Sequence, residues 1–233
     1  MRVFAVTGPR NMKTRDRIIL TSLELFNEQG ERNVSTNHIA AALGISPGNL
    51  YYHFRNKTDI IHEIFRHYQL LVDHYLQLPE GRALQVDDEF DYLEAVFDGL
   101  WSYRFLHRDL EHYLESDPRL KADYRAFTQR CLRAICRILD GLADAGILMR
   151  MSQEQLESMS LNVWLVVTSW MAFLKTSQAE ADVLCKERLK EGIYQVITLQ
   201  LPYLQPEYRD IILARQQAYL PASLHSMFAH ARG

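Results

Sequence analysis

The segment SPGNLYYHF, residues 46–54, combines side chains that can contact hydrogen-bonding groups on another molecule. At about 100° per residue of an α-helix, Leu50 and Phe54 lie about 40° apart on one side. Asn49 and Tyr52 then point to the opposite side. An amide and a phenol suit the edges of base pairs in a DNA groove. The segment therefore predicts a short helix that docks through its apolar side and presents its polar side to DNA.

The residues predicted to contact DNA divide into two groups. Asn49 and Tyr52 are expected at base edges, with Gly48 admitting a close approach. Phosphate contacts, which also fix the position of the helix on the duplex, are expected from a second group that consists of Thr36, Tyr51, His53 and Lys57. Lys57 belongs to this group because it opens the next helix, whose free N–H groups and positive end suit a phosphate. The full predicted set is Thr36, Asn37, Ser46, Gly48, Asn49, Tyr51, Tyr52, His53 and Lys57.

A second short helix must precede this segment and position it. Ser35 or Thr36 can cap that helix, because a hydroxyl can accept a bond from its free N–H groups. Gly44 suits its end, where a left-handed residue is common. Ser46 can cap the following helix, with Pro47 at the first position, where a missing N–H costs nothing. Such helix-turn-helix units also occur in proteins that never touch DNA, so this geometry leaves a plain helical hairpin open.

The residues around this unit narrow the choice. RDRIILTSLELFNEQG, followed by IAAALGISPGNLYYHFRNKTDII, closely resembles the DNA-binding domain of the TetR family of bacterial one-component repressors. The resemblance covers about residues 13–65, and its LYYHF-x-x-K core is highly specific. His38 is a departure, since the family usually has an acidic residue there, and we expect a weaker cap on the first helix. The resemblance implies a helical body with a small-molecule pocket and a homodimer.

The charge distribution is consistent with two different parts. Residues 1–68 hold nine Lys or Arg and six Asp or Glu, whereas the remainder holds 17 basic and 23 acidic residues. A mildly basic head on an acidic body is typical of a DNA-binding domain joined to another domain.

The fold is predicted to be all-α, because apolar residues recur at helical spacing and no segment alternates as a strand would. The predicted domains are a flexible arm at 1–12, a helix-turn-helix DNA-binding domain at 13–60, and a helical ligand-binding and dimerisation domain at 61–233. Outside the helix-turn-helix, helices are expected at about 13–29, 56–78, 89–107, 109–116, 118–145, 153–175, 181–201 and 207–219.

The opening residues lack the apolar core of a signal peptide, and no apolar run approaches the roughly 20 residues that cross a membrane. The three cysteines form no CxxC pair, which favours free thiols in a reducing compartment. We therefore expect a cytoplasmic protein without a membrane partner.

The segment Leu161–Leu174 is apolar almost all round and is predicted to be buried. With residues 183–201 it could form two walls of a four-helix bundle across a two-fold axis, as the resemblance implies. Val196 and Ile197 are then expected at the seam. The alternative is that both helices form the internal core of a monomer.

Aromatic and polar side chains in the body could line an apolar pocket with a few orienting groups, or they could be solid core. The resemblance favours a pocket for a small, largely apolar ligand. The predicted ligand-binding residues are Trp101, Phe105, His107, Phe127, Trp164 and Trp170.

An enzyme is not expected, because the chain lacks the common nucleophile, phosphate-loop and dinucleotide motifs. No cofactor or metal is expected either, since His62 and His67 are five residues apart and diverge around the helix. The sequence thus predicts a ligand-responsive, DNA-binding repressor. The alternative is a helical ligand-binding protein that keeps a helix-turn-helix only as a scaffold.

Overall fold

The computed structural model describes residues 12–177 and 184–221. The predicted arm, apart from residue 12, lies outside this part of the chain, as does the predicted beginning of the 181–201 helix. The α-helices are α1 Thr14–Gln29, α2 Thr36–Leu43, α3 Pro47–His53, α4 Lys57–Tyr75, α5 Val86–Ser102, α6 Arg104–Arg108, α7 Leu110–Ser116, α8 Pro118–Asp144, α9 Gln153–Ser177, α10 Lys186–Lys190, α11 Gly192–Gln200 and α12 Pro206–Gln216. Short 3₁₀ turns follow α1, α11 and α12.

The all-α prediction is confirmed. Among the described residues the β-structure consists of one isolated bridge, between Leu148 and Leu204. No described helix combines the length and the apolar character that crossing a membrane requires.

The chain forms two compact units. Of the described residues, 12–74 and 102–123 form the N-terminal unit, and 75–101, 124–177 and 184–221 form the C-terminal unit. Consequently α6 and α7 belong to the same unit as the helix-turn-helix, although they follow α5 in sequence. The functional boundary at residue 60 remains a prediction.

The helix predicted at 89–107 is divided by Tyr103 into α5 and α6. A side chain of α1 explains the break. Asn27 Nδ2 donates to the Ser102 carbonyl at 2.7 Å, and Asn27 Oδ1 accepts the Phe105 N–H at 3.1 Å. These bonds satisfy backbone groups that would otherwise continue the helix. Phe105 then packs on Phe26 of α1, with ring centroids 5.2 Å apart.

The core of the C-terminal unit lies among α5, α8, α9 and α11. Gly192 opens α11 where helices come very close: a Cβ there would lie 2.5 Å from Phe97 Cζ and 2.8 Å from Trp170 Cδ1. Only a residue without a side chain fits this position.

The prediction that Val196 and Ile197 form the seam between protomers is wrong. Both are at most 1% exposed within a single chain, because they face the core of their own unit. The prediction that α9 is buried on every side includes a partner beyond its own unit, so a single chain does not test it. Leu161 and Leu165 are 48% and 50% exposed. The apolar run of α9 therefore has a buried and an open side.

Candidate nucleic-acid interface

Helix α2 begins with a reciprocal cap. The Ser35 hydroxyl accepts the His38 N–H at 3.2 Å, and His38 Nδ1 accepts the Ser35 N–H at 3.4 Å. An imidazole thus takes the place of the acidic side chain usual in a capping box. The cap therefore forms without an acidic side chain, because an imidazole nitrogen is also a hydrogen-bond acceptor. The expectation that His38 weakens it stays untested.

The turn and helix α3 form as the sequence predicts. Gly44 ends α2 in the left-handed region at φ 66°. The Ser46 hydroxyl accepts the Asn49 N–H at 3.2 Å, and Pro47 occupies the first position of α3. Leu50 and Phe54 are buried. The seven-residue helix is therefore held by its neighbours, as a helix too short to be stable alone must be.

The side of α3 opposite Leu50 is open. Tyr52 is 83% exposed, and Gly48 and Asn49 are exposed beside it. The Tyr51 and Thr36 hydroxyls lie 3.0 Å apart, so α2 and α3 share a hydrogen bond at this surface. An amide, two phenols and a hydroxyl are thereby presented together on two linked helices.

Lys57 is placed differently from the other predicted contacts. Its Nζ lies 2.6 Å from the Glu31 carboxylate and donates to the carbonyls of Glu31 and Val34, each at 3.0 Å. An ammonium has three donors, and here all three have a partner in the chain. Lys57 thus joins the start of α4 to the turn before α2. Its predicted contact with phosphate stays untested.

The remaining predicted residues lie at the same surface. Asn37 and Ser46 are exposed, and Thr36 and His53 are partly exposed. The Tyr52 and His53 rings are in edge contact, with centroids 5.1 Å apart. Sequence reasoning overlooked Arg55, which is exposed in the loop between α3 and α4. Its position directly after the YYHF segment was the available signal.

An ionic network supports this surface from below. Arg15 lies 2.9 Å from Glu63 of α4 and stacks over the Phe54 ring, with its guanidinium carbon 4.9 Å from the centroid. The hydrogen bond from Arg15, together with that from Arg66, lowers the pKa of Glu63 to about 2. The network fixes α4 against α1 where the helix-turn-helix rests.

The predicted ligand-binding residues divide between the two units. Phe105 and His107 belong to the N-terminal unit, where His107 Nε2 lies 3.0 Å from the Tyr68 hydroxyl. The other four belong to the C-terminal unit. There Phe127 contacts Trp164 edge to face at 6.2 Å, and Trp170 stacks on Phe173 at 5.1 Å, measured between ring centroids. These two tryptophans point to different sides of α9, since they are six residues apart.

These features define an all-α protein whose exposed short helix, held by a capped helix-turn-helix, is suited to a DNA groove. Two family models match the chain. One, described as "Bacterial regulatory proteins, tetR family", matches residues 18–64, and the other, TetR, "Bacterial transcriptional repressor", matches residues 67–212. The chain belongs to the TetR family of bacterial transcriptional regulators, a family of DNA-binding regulators rather than enzymes.

Individual proteins agree with this assignment. A TetR-family transcriptional regulator from Marinobacter aquaeolei VT8 is 62% identical, with a TM-score of 0.84 over 90% of this chain and 100% of that chain. SmeT, the repressor of the Stenotrophomonas maltophilia multidrug efflux pump SmeDEF, shares the fold at 17% identity, with a TM-score of 0.57 over 84% and 92% of the two chains. An HTH-type transcriptional regulator of Staphylococcus aureus MRSA252 is 29% identical over half of this chain and 62% of its own length.

Proposed function

We propose that the protein is a repressor that binds a palindromic operator as a homodimer and leaves it when a small, largely apolar effector binds. The exposed side of α3 carries this proposal. Asn49 and Tyr52 are exposed on a helix whose other side is anchored by the buried Leu50 and Phe54. One such helix reads few bases, so two copies related by a two-fold axis are needed for a specific site.

The open side of α9 supports the homodimer. Leu161, Leu165 and Ala172 recur on one stripe at helical spacing, all exposed. No charged residue occurs between Glu157 and Lys175. An uncharged apolar stripe of this length is typical of a surface that packs on another helix, and a second copy supplies the same stripe.

Helix α4 supports the proposal that an effector bound in the C-terminal unit changes DNA binding. Family relatives include a repressor of a multidrug efflux pump, which motivates a small-molecule effector. Helix α4 begins three residues after α3 and runs without a break to Tyr75, where the C-terminal unit begins. A change at the far end of α4 can therefore alter the separation of two α3 helices. That separation must be about 34–36 Å to enter successive major grooves.

The experiment is selection of duplexes from random DNA, followed by binding measurements on the selected site. We expect a palindrome and a strong salt dependence. Asn49→Ala should weaken binding to that site by about 1–3 kcal/mol and relax its sequence preference, with little change on unrelated DNA. Gln129→Ala, an exposed amide on α8, is the control and should bind as the parent does.

Two outcomes would contradict the proposal. Recovery of no preferred duplex would favour the alternative, a helical ligand-binding protein with the helix-turn-helix as a scaffold. Unchanged binding by Asn49→Ala would mean that another side of α3 faces the bases.

A further inference from the structure

Two polar side chains occupy core positions in the C-terminal unit. Glu89 lies on the same side of α5 as Leu93 and Leu100 and is 3% exposed. Gln200 lies on the same side of α11 as Val196 and Ile197 and is 4% exposed. Apolar residues would be expected at both positions, because each belongs to the buried stripe of its helix.

The two helices bring these side chains together. Phe97 of α5 meets Gly192 of α11, and the Gln200 side chain lies beside the Glu89 carboxyl. Eight residues separate Glu89 from Phe97, and eight separate Gly192 from Gln200, or about 12 Å on each helix. The helices therefore run antiparallel, with the polar pair at one end of their contact and the tightly packed glycine at the other.

Hydrogen bonding of the pair is incomplete. Both Glu89 carboxyl oxygens and Gln200 Oε1 are buried, and none has a hydrogen-bond partner of good geometry among the described residues. Such atoms are rare in native proteins, because burying an unpaired acceptor is unfavourable, and more so when it is charged. When Glu89 is ionised, the site thus has three buried acceptors and is short of donors.

Charged groups of neighbouring segments do not supply them. Asp87 pairs with Arg215, and Asp88 pairs with Arg82. Glu94 is bonded to Lys190 and to the Tyr219 hydroxyl. Residues 192–200, GIYQVITLQ, carry no charged side chain. Burial accordingly raises the pKa of Glu89 to about 7, opposed by the Gln200 side chain.

We propose that Glu89 and Gln200 bind the primary ammonium group of an effector whose remainder is apolar. A primary ammonium has three N–H donors and no acceptor, which matches the three acceptors, and its charge balances the carboxylate. The apolar remainder suits the apolar core of the C-terminal unit, to which Phe90 and Leu93 of α5 belong. That this ligand controls DNA binding rests on the proposed function, whereas its binding to the isolated protein does not.

Other ligand classes satisfy the site less well. An alcohol brings a single donor and no charge. A quaternary ammonium brings charge but no N–H donor, and a carboxylate brings only further acceptors. The pair is therefore selective for primary amines over alcohols and acids of the same shape.

The test is calorimetric titration of the full chain, without DNA, with n-butylamine, n-hexylamine and 2-phenylethylamine, each paired with its alcohol and, for the last, with phenylacetate. Buffers of different ionisation enthalpy report the protons released. We expect at least one amine to bind at least tenfold more tightly than its alcohol. Binding at pH 6 should release nearly one proton, because the mostly neutral Glu89 must ionise, and release should be small at pH 8.

Glu89→Gln keeps the shape of the side chain and should abolish both the proton release and the preference for the amine. Gln200→Leu should weaken amine binding and leave the proton release in place. Folding of each variant is checked by its thermal midpoint.

The proposal is overturned if no amine binds, if amine and alcohol bind alike, or if Glu89→Gln binds the amine as the parent does. Glu89 and Gln200 would then be a protonated structural pair only. If the protein binds an amine but selects no DNA duplex, the amine site is supported and the proposed repressor function is overturned.

Discussion

His107 in α6 and Tyr68 in α4 form a polar pair inside the N-terminal unit. His107 Nε2 lies 3.0 Å from the Tyr68 hydroxyl, and the two rings meet edge to face at 5.2 Å between centroids. Burial lowers the pKa of His107 to about 4, so the ring is neutral near pH 7. A neutral imidazole that shares a hydrogen bond with a tyrosine is a structural element here. Its charging must oppose folding.

The lowered pKa of the folded His107 makes the free energy of unfolding depend on pH. The unfolded His107 has a pKa near 6.5 and the folded one about 4. The stabilisation is therefore present above pH 6.5 and is lost as the pH falls from 6.5 to 4, by up to about 3 kcal/mol. His107→Gln can still hydrogen-bond Tyr68. As the pH falls from 6.5 to 4, its free energy of unfolding, measured by denaturant titration, should fall less than that of the parent. His112→Gln, at an exposed histidine on α7, is the control. Equal pH dependence in parent and His107→Gln would contradict the assignment.

Helices α2 and α3 were predictable from sequence because their information is local. Ser46, Pro47 and Gly44 each act on groups within three or four residues, and all three have their predicted roles. The role of His38 could not be predicted in this way, since the TetR family usually has an acidic residue at this position. Its Nδ1 performs the same acceptor function through different chemistry.

The contacts of Lys57 could not be predicted from the spacing of residues in the sequence. Its place at the start of α4 suggested phosphate binding, but its partners are Glu31 and Val34, more than 20 residues earlier. Such partners depend on how the turn before α2 packs against α4, which no local pattern encodes. The same holds for Asn27, which ends α5 from a distance of 75 residues in sequence.

The contacts of Lys57 lead to a prediction about DNA binding. Lys57→Met should remove the tie between α4 and the turn before α2, at a cost of about 1–3 kcal/mol in stability, because buried acceptors lose their donors. If the donors of Lys57 stay with Glu31 and Val34 on DNA, affinity should fall while the slope of log K against log salt stays the same, since no phosphate contact is then lost. Glu31→Gln should weaken binding in the same manner. A slope reduced by about one unit in Lys57→Met but not in Glu31→Gln would instead identify Lys57 as a phosphate ligand.

On the scale of the whole molecule, the predicted ligand-binding residues belong to two units, because α6 packs in the N-terminal unit with Phe105 and His107. Whether they line a pocket or form solid core stays untested. Composition shows how many aromatic side chains a chain has, whereas their grouping depends on tertiary packing. The buried pair of Glu89 and Gln200 was missed for a related reason. A glutamate in an acidic run, DDEFD, looks like part of a solvated helix start.

The same packing changes where the two protomers are expected to meet. Val196 and Ile197 are used within one chain, which leaves the stripe of α9 with Leu161 and Leu165 as the surface that a second copy can cover. Leu165→Glu should therefore give a folded monomer, because two glutamates would otherwise be buried against each other across the two-fold axis. Sedimentation measures this directly, and circular dichroism reports the fold.

Ile211→Glu, at an exposed apolar residue on α12, should remain a dimer. Ile197→Glu should instead unfold the C-terminal unit, because it places a charge in the core. If the parent is a dimer and Leu165→Glu sediments as the parent does, the protomers meet elsewhere.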